Sequence, residues 1–373
     1  MRIAVVRQRY SAQGGAERFI ERALAALAGQ GLAVTLLARE WTGDPGDVVR
    51  CNPFYLGRVW RDWSFSRAVC REAANRSFDL VQSHERIACC DIYRAGDGVH
   101  AQWLQNRRAA LGPMARAGLA LNPYHRYVLG AERALYSSRR LRAVICNSRM
   151  VKDEIRRHFG TPEGKLHVIY NGIDLEAFHP RLREAHRASL RQRLGIPREA
   201  RAFLHVGAGF ERKGVFRLIE ALALSGAGDA HLMIVGSDKT RARAERLAAA
   251  SGVASRVHFA GTQADVRPWY GAADAFVLAT LYDPFPNAAL EAMACGLPVV
   301  TTRQCGTAEI IDEGKSGFVV DALAIPELAR RLASLDAAAA QEMGRRARER
   351  ALGFGVEKMA GEFIALYRGL MAA

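Results

Sequence analysis

The chain has 373 residues, of which half are apolar and 24% charged, a balance that excludes a disordered polypeptide and leaves room for two domains of roughly 150–200 residues. The net charge of +15 calls for an anionic partner. No run reaches the ~18 apolar residues that a membrane-spanning helix needs. Met1-Arg2, four apolar residues and then Arg7 do not read as a signal peptide, so a cytoplasmic location is expected.

The first half opens on a strand, 2–6, followed by a loop holding Gly14-Gly15 and a helix over about 16–28. Strand-like runs recur at 33–38, 79–82, 91–94 and 142–146, with helical segments between them. Strands alternating with helices predict a parallel sheet covered on both faces. The stretch 166–180 reads as a strand running into a boundary, with Asn171-Gly172 as turn and Pro180 as breaker. A charged helix over 182–194 ends at Gly195 and Pro197. The pattern then restarts, with strands at 202–206, 231–235, 256–259, 275–278 and 298–301 and helices in the gaps. The tail, 355–373, places apolar residues at 356, 359, 363, 366, 367 and 370, close to a helical period. Seven scattered cysteines show no zinc spacing, and most are expected to be small buried hydrophobes.

Charge is uneven along this order. Residues 101–150 hold nine arginines against a single acid, Glu132, a local balance of +8. With Trp103, Tyr124 and Tyr127 as interfacial anchors, the segment suits an anionic membrane surface. Nucleic acid would suit the charge too, but no aromatic RNP run or zinc-finger spacing accompanies it. No nucleic-acid partner is expected.

Two loops carry the chemistry. After the strand at 202–206 comes GAGFERKG, which places Arg212-Lys213 just before a helix beginning near Gly214. Helix N-terminal N–H groups favour an anion, and the two cations add a fork and a point charge suited to a diphosphate. Neither a Walker loop nor a GxGxxG fingerprint is present. The second loop is YDPFPNAALEAMACGLP, 282–298. Pro286 is placed to start a helix that stops at Gly296 and Pro298. Asp283 then precedes the helix and Glu291 lies one turn inside it. The N–H groups of Asn287, Ala288 and Ala289 remain for phosphate oxygens. Two carboxylates beside an anion site suit sugar and ribose hydroxyls rather than phosphate.

Together these stretches resemble glycosyltransferase family 4. The family carries an E-x7-E motif followed by small residues and GxPV, here D-PFPNAAL-E-AMACGLPVV. It also carries an Arg and a Lys before a helix early in its second domain, matching Arg212 and Lys213, and glycines in the first loop, matching Gly14-Gly15. Within the family the chain is similar to bacterial lipopolysaccharide-core hexosyltransferases, on RQRYSAQGGAERF near the start, AGDG at 95–98 and GFERKG at 209–214.

The resemblance implies a GT-B fold: an α/β protein of two Rossmann-like domains whose parallel sheets face across a cleft. The division expected is 1–180 for the acceptor, 181–355 for the nucleotide sugar, and a helix over 356–373 returning to the first domain. It also implies a retaining, metal-independent hexosyltransferase that uses a UDP-sugar as donor substrate, needs no cofactor, and acts on a glycolipid such as lipopolysaccharide core at the cytoplasmic face of a membrane. Glu291 would hold the ribose, and Asp283 would face the donor sugar where the family has Glu. Arg212 and Lys213 would clamp the diphosphate, with Gly209 in the same loop. Gly14 and Gly15 would let backbone approach the donor, and Gly261-Thr262 would contact the base. Asp97 would lie near the acceptor. A nucleotide-sugar epimerase or isomerase on the same scaffold is the alternative enzyme, and a non-catalytic basic module the alternative without chemistry.

Overall fold

A computed structural model describes residues 2–10, 33–42 and 46–372. The Gly14-Gly15 loop and the helix expected after it lie outside the described residues. The chain divides into two compact units: Met1–Gly172 with Val356–Ala373, and Ile173–Gly355. The division falls at Gly172, not at 180. Ile173 already belongs to the second unit, where it pairs with Gly355 and donates its N–H to Phe354 O at 2.8 Å.

Among the described residues the first unit has seven strands: β1 (Arg2–Tyr10), β2 (Ala33–Trp41), β3 (Asp47–Arg50), β4 (Leu80–Ser83), β5 (Ile92–Arg94), β6 (Ala143–Cys146) and β7 (Leu166–Val168). They pair in parallel in the order β3-β2-β1-β4-β5-β6-β7. β1 outruns the apolar stretch because Arg7, Arg9 and Tyr10 pair with Ala38, Glu40 and Trp41 of β2. β3, half-exposed DVVR, was not predicted, since four residues without alternation carry no strand signal.

Helices α1 (Gly57–Asn75), α2 (His100–Ala109), α3 (Pro113–Leu121), α4 (Pro123–Tyr136) and α5 (Arg149–Phe159) belong to the same unit. Phe65 and Val69 of α1 join Val6, Val81, Val144 and Ile155 in one core. A second core sets Met359, Phe363, Ile364 and Tyr367 of the C-terminal helix (Val356–Ala372) against Ile3, Val5, Leu36, Ile92 and Ile145. Side chains alternate across a strand, so neighbouring residues such as Val5 and Val6 serve the two cores.

The cysteines follow the expectation in part. Cys51, Cys90, Cys146, Cys295 and Cys305 are buried thiols. Cys70 of α1 and Cys89, in the loop after β4, are joined in a disulfide. That pair comes from the packing of a helix against a loop, which no spacing in the sequence announces.

The second unit has α6 (Leu182–Leu194), β8 (Arg201–Val206), α7 (Phe210–Lys213), α8 (Val215–Leu224), β9 (Ala230–Val235), α9 (Arg241–Ala250), β10 (Val257–Gly261), α10 (Arg267–Ala272), β11 (Ala275–Leu278), α11 (Asn287–Ala294), β12 (Val299–Thr302), β13 (Gly317–Val320), α12 (Ile325–Ser334) and α13 (Ala337–Ala351). Its parallel sheet has the order β10-β9-β8-β11-β12-β13, the doubly wound arrangement whose ligands bind at the carboxyl ends where the order reverses, here between β8 and β11. Both units are therefore Rossmann-like. β13 was not predicted.

One largely shielded charge cluster, with Arg191 buried and Arg183 half exposed, ties α6 to this sheet. Asp274, just before β11, is 2.5 Å from Arg191, 2.8 Å from Arg187 and 3.2 Å from Arg183, and accepts the N–H of Ala202 at 2.9 Å. Burial raises the Asp274 carboxyl, but Arg191 and Arg187 outweigh it and hold it below the usual range. Asp274→Ala would strand Arg191, which is 2% exposed. The expected cost is about 3 kcal/mol, read as a lower denaturant midpoint for the second unit. Because the folded carboxyl is depressed, its contribution is fully present above the unfolded value near pH ~4 and is lost as pH falls through the lower folded value. An acid-unfolding curve that is the same for wild type and variant would refute this.

Candidate active site

β8 ends at Val206, and Gly207-Ala208-Gly209 leads into α7. Arg212 and Lys213 precede a helix, as expected, but are themselves part of a helical turn. They close the single turn α7, after which Gly214 breaks the helix and α8 begins. The turn forms because one Asp238 carboxylate oxygen accepts the N–H groups of both Gly209, at 2.9 Å, and Phe210, at 3.2 Å. The Gly209 amide, in a loop expected to bind the donor, is therefore engaged by a side chain. Gly214 has φ +82°, and a Cβ there would lie 1.9 Å from Ala279 O, so only glycine lets α8 start this close to the end of β11.

That approach joins the two predicted loops. The Arg212 carbonyl accepts Leu281 N–H at 2.8 Å and the Thr280 hydroxyl at 3.0 Å. The Arg212 guanidinium donates to Tyr282 O at 3.0 Å. The Lys213 ammonium is 3.1 Å from Asp283 Oδ2, and Arg212 Nη1 is 3.7 Å from the same oxygen. Lys213 lies across Gly207, where a Cβ would meet its Cδ at 2.7 Å. Asp283 is 6% exposed and is pinned through its backbone, donating to Gln304 O at 3.1 Å and accepting Gly306 N–H at 2.8 Å.

Pro286 caps α11 instead of opening it. The Ala289 N–H, expected to be free, donates to Pro286 O at 3.2 Å. Asn287 and Ala288 are half-buried and Ala289 buried. Glu291 is 7% exposed, so it is not a surface charge. It accepts the Tyr270 phenol at 2.7 Å, and the same phenol reaches Ala288 O at 3.2 Å. Gly261 ends β10 and its carbonyl receives Gly236 N–H at 2.8 Å, while Thr262 beside it is exposed. All these positions lie at the carboxyl edge of the second sheet.

A model of glycosyl transferases group 1 matches residues 186–351, and one of glycosyltransferase family 4 matches residues 13–177. The chain belongs to glycosyltransferase family 4. It is 27% identical over 327 residues to the lipopolysaccharide glucosyltransferase WaaG of Escherichia coli K12, a match that spans 86% of this chain and 85% of that protein. The crystal structure of a WaaG glycosyltransferase of lipopolysaccharide biosynthesis superposes with a TM-score of 0.81 at 25% identity, covering 96% of this chain and 98% of that one. The Anabaena protein HepE, solved with UDP and glucose, shares the fold, with a TM-score of 0.74 at 20% identity over 99% of this chain and all of its own. The WaaG likenesses are to a glycosyltransferase of lipopolysaccharide biosynthesis, and both solved structures share the GT-B fold.

In this family member the first unit has a polar cavity of about 290 Å³ at the carboxyl edge of its sheet, lined among others by Arg7, Asp62, Glu85, Arg86, Asp97 and Tyr127. Asp97 is exposed in a turn closed by Gly98 N–H on Ala95 O, at 3.1 Å. Sequence reasoning missed His84, whose chain neighbour Glu85 lines this cavity. His84 is 6% exposed, beside Gln82 at 3.2 Å, and burial followed by the fields of Arg94 and Arg7 keeps the imidazole neutral.

It also missed Asp238, Tyr270 and His205 in the second unit. His205 is fully buried on β8 and donates through Nδ1 to Val277 O at 3.2 Å, which leaves Nε2 as an acceptor without a partner among the described residues. Burial and the nearby Lys213 push it down to about 3. A lone His within an apolar strand carries no motif, and Tyr270 and Asp238 act from a distance of 21 and 28 residues in sequence.

The Gly207 opening makes a test. Gly207→Ala should displace the Lys213 ammonium and lower kcat about tenfold to a hundredfold, while the denaturant midpoint falls only by the ~1–2 kcal/mol of backbone strain. An unchanged kcat in the folded variant would mean that Lys213 does not need this path.

Proposed function

We propose that the chain is a retaining hexosyltransferase that moves glucose or a related hexose from a UDP-sugar to a glycolipid acceptor such as lipopolysaccharide core. The observation that carries this reading is the convergence of Lys213 and Arg212 on Asp283. The likeness to a lipopolysaccharide glucosyltransferase and the UDP and glucose bound by HepE support it.

In this reading Glu291, oriented by Tyr270, accepts the ribose hydroxyls, and Asp283 accepts a hydroxyl of the donor sugar. Arg212 and Lys213 hold the diphosphate, and the backbone of Asn287 and Ala288, with the exposed Thr262, completes the second unit's donor site. The bond from the anomeric carbon to the diphosphate oxygen breaks as the acceptor oxygen bonds to that carbon on the same face. The departing phosphate oxygen takes the acceptor proton, and UDP leaves. Charge develops on the diphosphate, where two fixed cations stabilise it without reorganisation. They supply the positive charge that a metal would otherwise bring, so the reaction is read as metal-independent. Asp97 borders the acceptor cavity in the first unit. The arginine-rich segment 101–150 supports a location on an anionic inner-membrane surface, at its cytoplasmic face. No helix among the described residues is long and apolar enough to cross a membrane.

Lys213→Ala should lower kcat at least about a hundredfold with the fold intact; near-normal turnover would remove the clamp. EDTA should leave turnover unchanged, and a loss restored by Mg²⁺ would overturn metal independence. Among UDP-, GDP- and ADP-sugars, the UDP compounds should raise the melting temperature most. Product analysis with acceptor omitted separates transfer from epimerisation, which would alter the donor alone.

A further inference from the structure

We propose that residues 53–67, the turn into α1 and its first three turns, are the element that inserts into an anionic lipid surface. This rests on the membrane reading of segment 101–150 and moves its apolar anchors elsewhere. The aromatics expected to serve there turn inward or are only partly exposed. The Tyr124 hydroxyl donates to Asp62 at 3.1 Å, and Tyr127 lines the first-unit cavity. Trp103 is half-buried under Arg107, whose guanidinium is 5.7 Å from its ring.

The exposed apolar side chains lie in a different stretch. Phe54 is 77% exposed, Leu56 76%, Trp60 43% and Trp63 46%. Four large apolar residues facing water within ten positions are a patch, not scattered surface residues. The patch is also held firmly. Arg39 on β2 is 1% exposed, and its guanidinium donates to Pro53 O and Arg61 O at 2.8 Å, to Asn52 at 2.9 Å and to Ser64 at 3.2 Å. It lies 4.7 Å from the Tyr55 ring and 5.5 Å from that of Phe65. A buried cation thus fixes the turn and the start of α1 with Phe54 edge-on to Trp60, 5.6 Å apart.

The surrounding charge selects the occupant. Arg58, Arg67 and Arg71 are exposed on α1, and Arg67 stacks over Trp63 at 5.1 Å. The first turn of α1 has no acid and no side-chain cap, so its positive dipole end is uncompensated. Arg58 stacks on Tyr124 at 4.2 Å, which joins the start of α1 to that of α4. Next to α4, the short helix α3 exposes Met114 at 90% and Leu121 at 75%. The one acid of segment 101–150, Glu132, is 1% exposed and is bound to Arg86 at 3.0 Å and to the His100 N–H at 2.6 Å. The outward charge of that segment is therefore arginine alone. Aromatic side chains ringed by arginine match the boundary of an anionic bilayer. A second copy docking through the same face would set arginine against arginine.

Full-length protein is tested by sedimentation with phosphatidylcholine vesicles, with and without phosphatidylglycerol. Wild type should bind only the anionic vesicles. Trp60→Ser/Trp63→Ser and, separately, Phe54→Ser/Leu56→Ser should weaken that binding about tenfold, with the melting temperature and its shift by UDP unchanged. Brominated acyl chains should quench wild-type tryptophan emission, and the double tryptophan variant should lose that quenching. If both double variants bind like wild type while Arg108→Glu/Arg116→Glu does not, the insertion element is wrong and the charge reading stands. Absence of wild-type binding to anionic vesicles overturns both. A concentration-dependent dimer that the serine variants disperse would make the face a self-interface and overturn the proposal.

Discussion

The second unit's site depends on the contact between the Lys213 ammonium and the Asp283 carboxylate, 3.1 Å apart. Neither residue is on a long regular element. Lys213 ends a four-residue turn, and Asp283 follows the end of a four-residue strand. Each loop is placed by the other, through Gly214 against Ala279 O and through the Arg212 carbonyl, which accepts from both Thr280 and Leu281. With two cations on one carboxylate, the edge keeps a surplus positive charge; screening by water and salt is weak at the largely buried Lys213 and Asp283 and stronger at the partly exposed Arg212. Removing any of these approaches would move the charges and not only loosen the fold.

Much of this was legible in the sequence, and what was not has a common cause. β11 and α6 coincide with their predicted bounds, 275–278 and 182–194, because a buried strand between breakers and a helix between Pro and Gly state their own ends. Arg212, Lys213 and Asp283 meet because the strand–loop–helix order sets both loops at one sheet edge. What escaped depended on partners remote in sequence. Asp238 caps a turn that starts 28 residues before it, and Tyr270 orients Glu291 from 21 residues away. The Cys70–Cys89 bridge joins two elements that only the packed sheet makes neighbours. The inward turn of Tyr124 belongs to the same class, because Asp62, which it binds, lies on another helix.

The first unit spends buried charge on architecture. Arg39 and Glu132 are each 1% exposed, yet each organises backbone: Arg39 collects two carbonyls, and Glu132 collects the first amides of α2. Burying an ion is costly unless its hydrogen bonds are filled, and both ions have several. A consequence appears at the surface. Withdrawing Glu132 into the interior leaves segment 101–150 outwardly basic, and anchoring the turn at Pro53 leaves the aromatic residues of α1 nowhere to fold back. Net charge alone, read from composition, could not separate arginines that hold the chain together from those that face a partner.

The Asp in place of Glu at 283 has a physical reading in the same terms. On the proposed roles, one carboxylate has to serve the Lys213 ammonium and a donor hydroxyl. A glutamate would have one more methylene with which to reach outward. The aspartate is held near the backbone of Gln304 and Gly306, with its oxygen already on Lys213. A diphosphate competing for that ammonium would loosen the pair and turn the carboxylate toward a hydroxyl of the arriving sugar. The ion pair then keeps the lysine extended over Gly207 until a stronger anion takes it. Little of the cost of ordering that side chain remains when the donor binds.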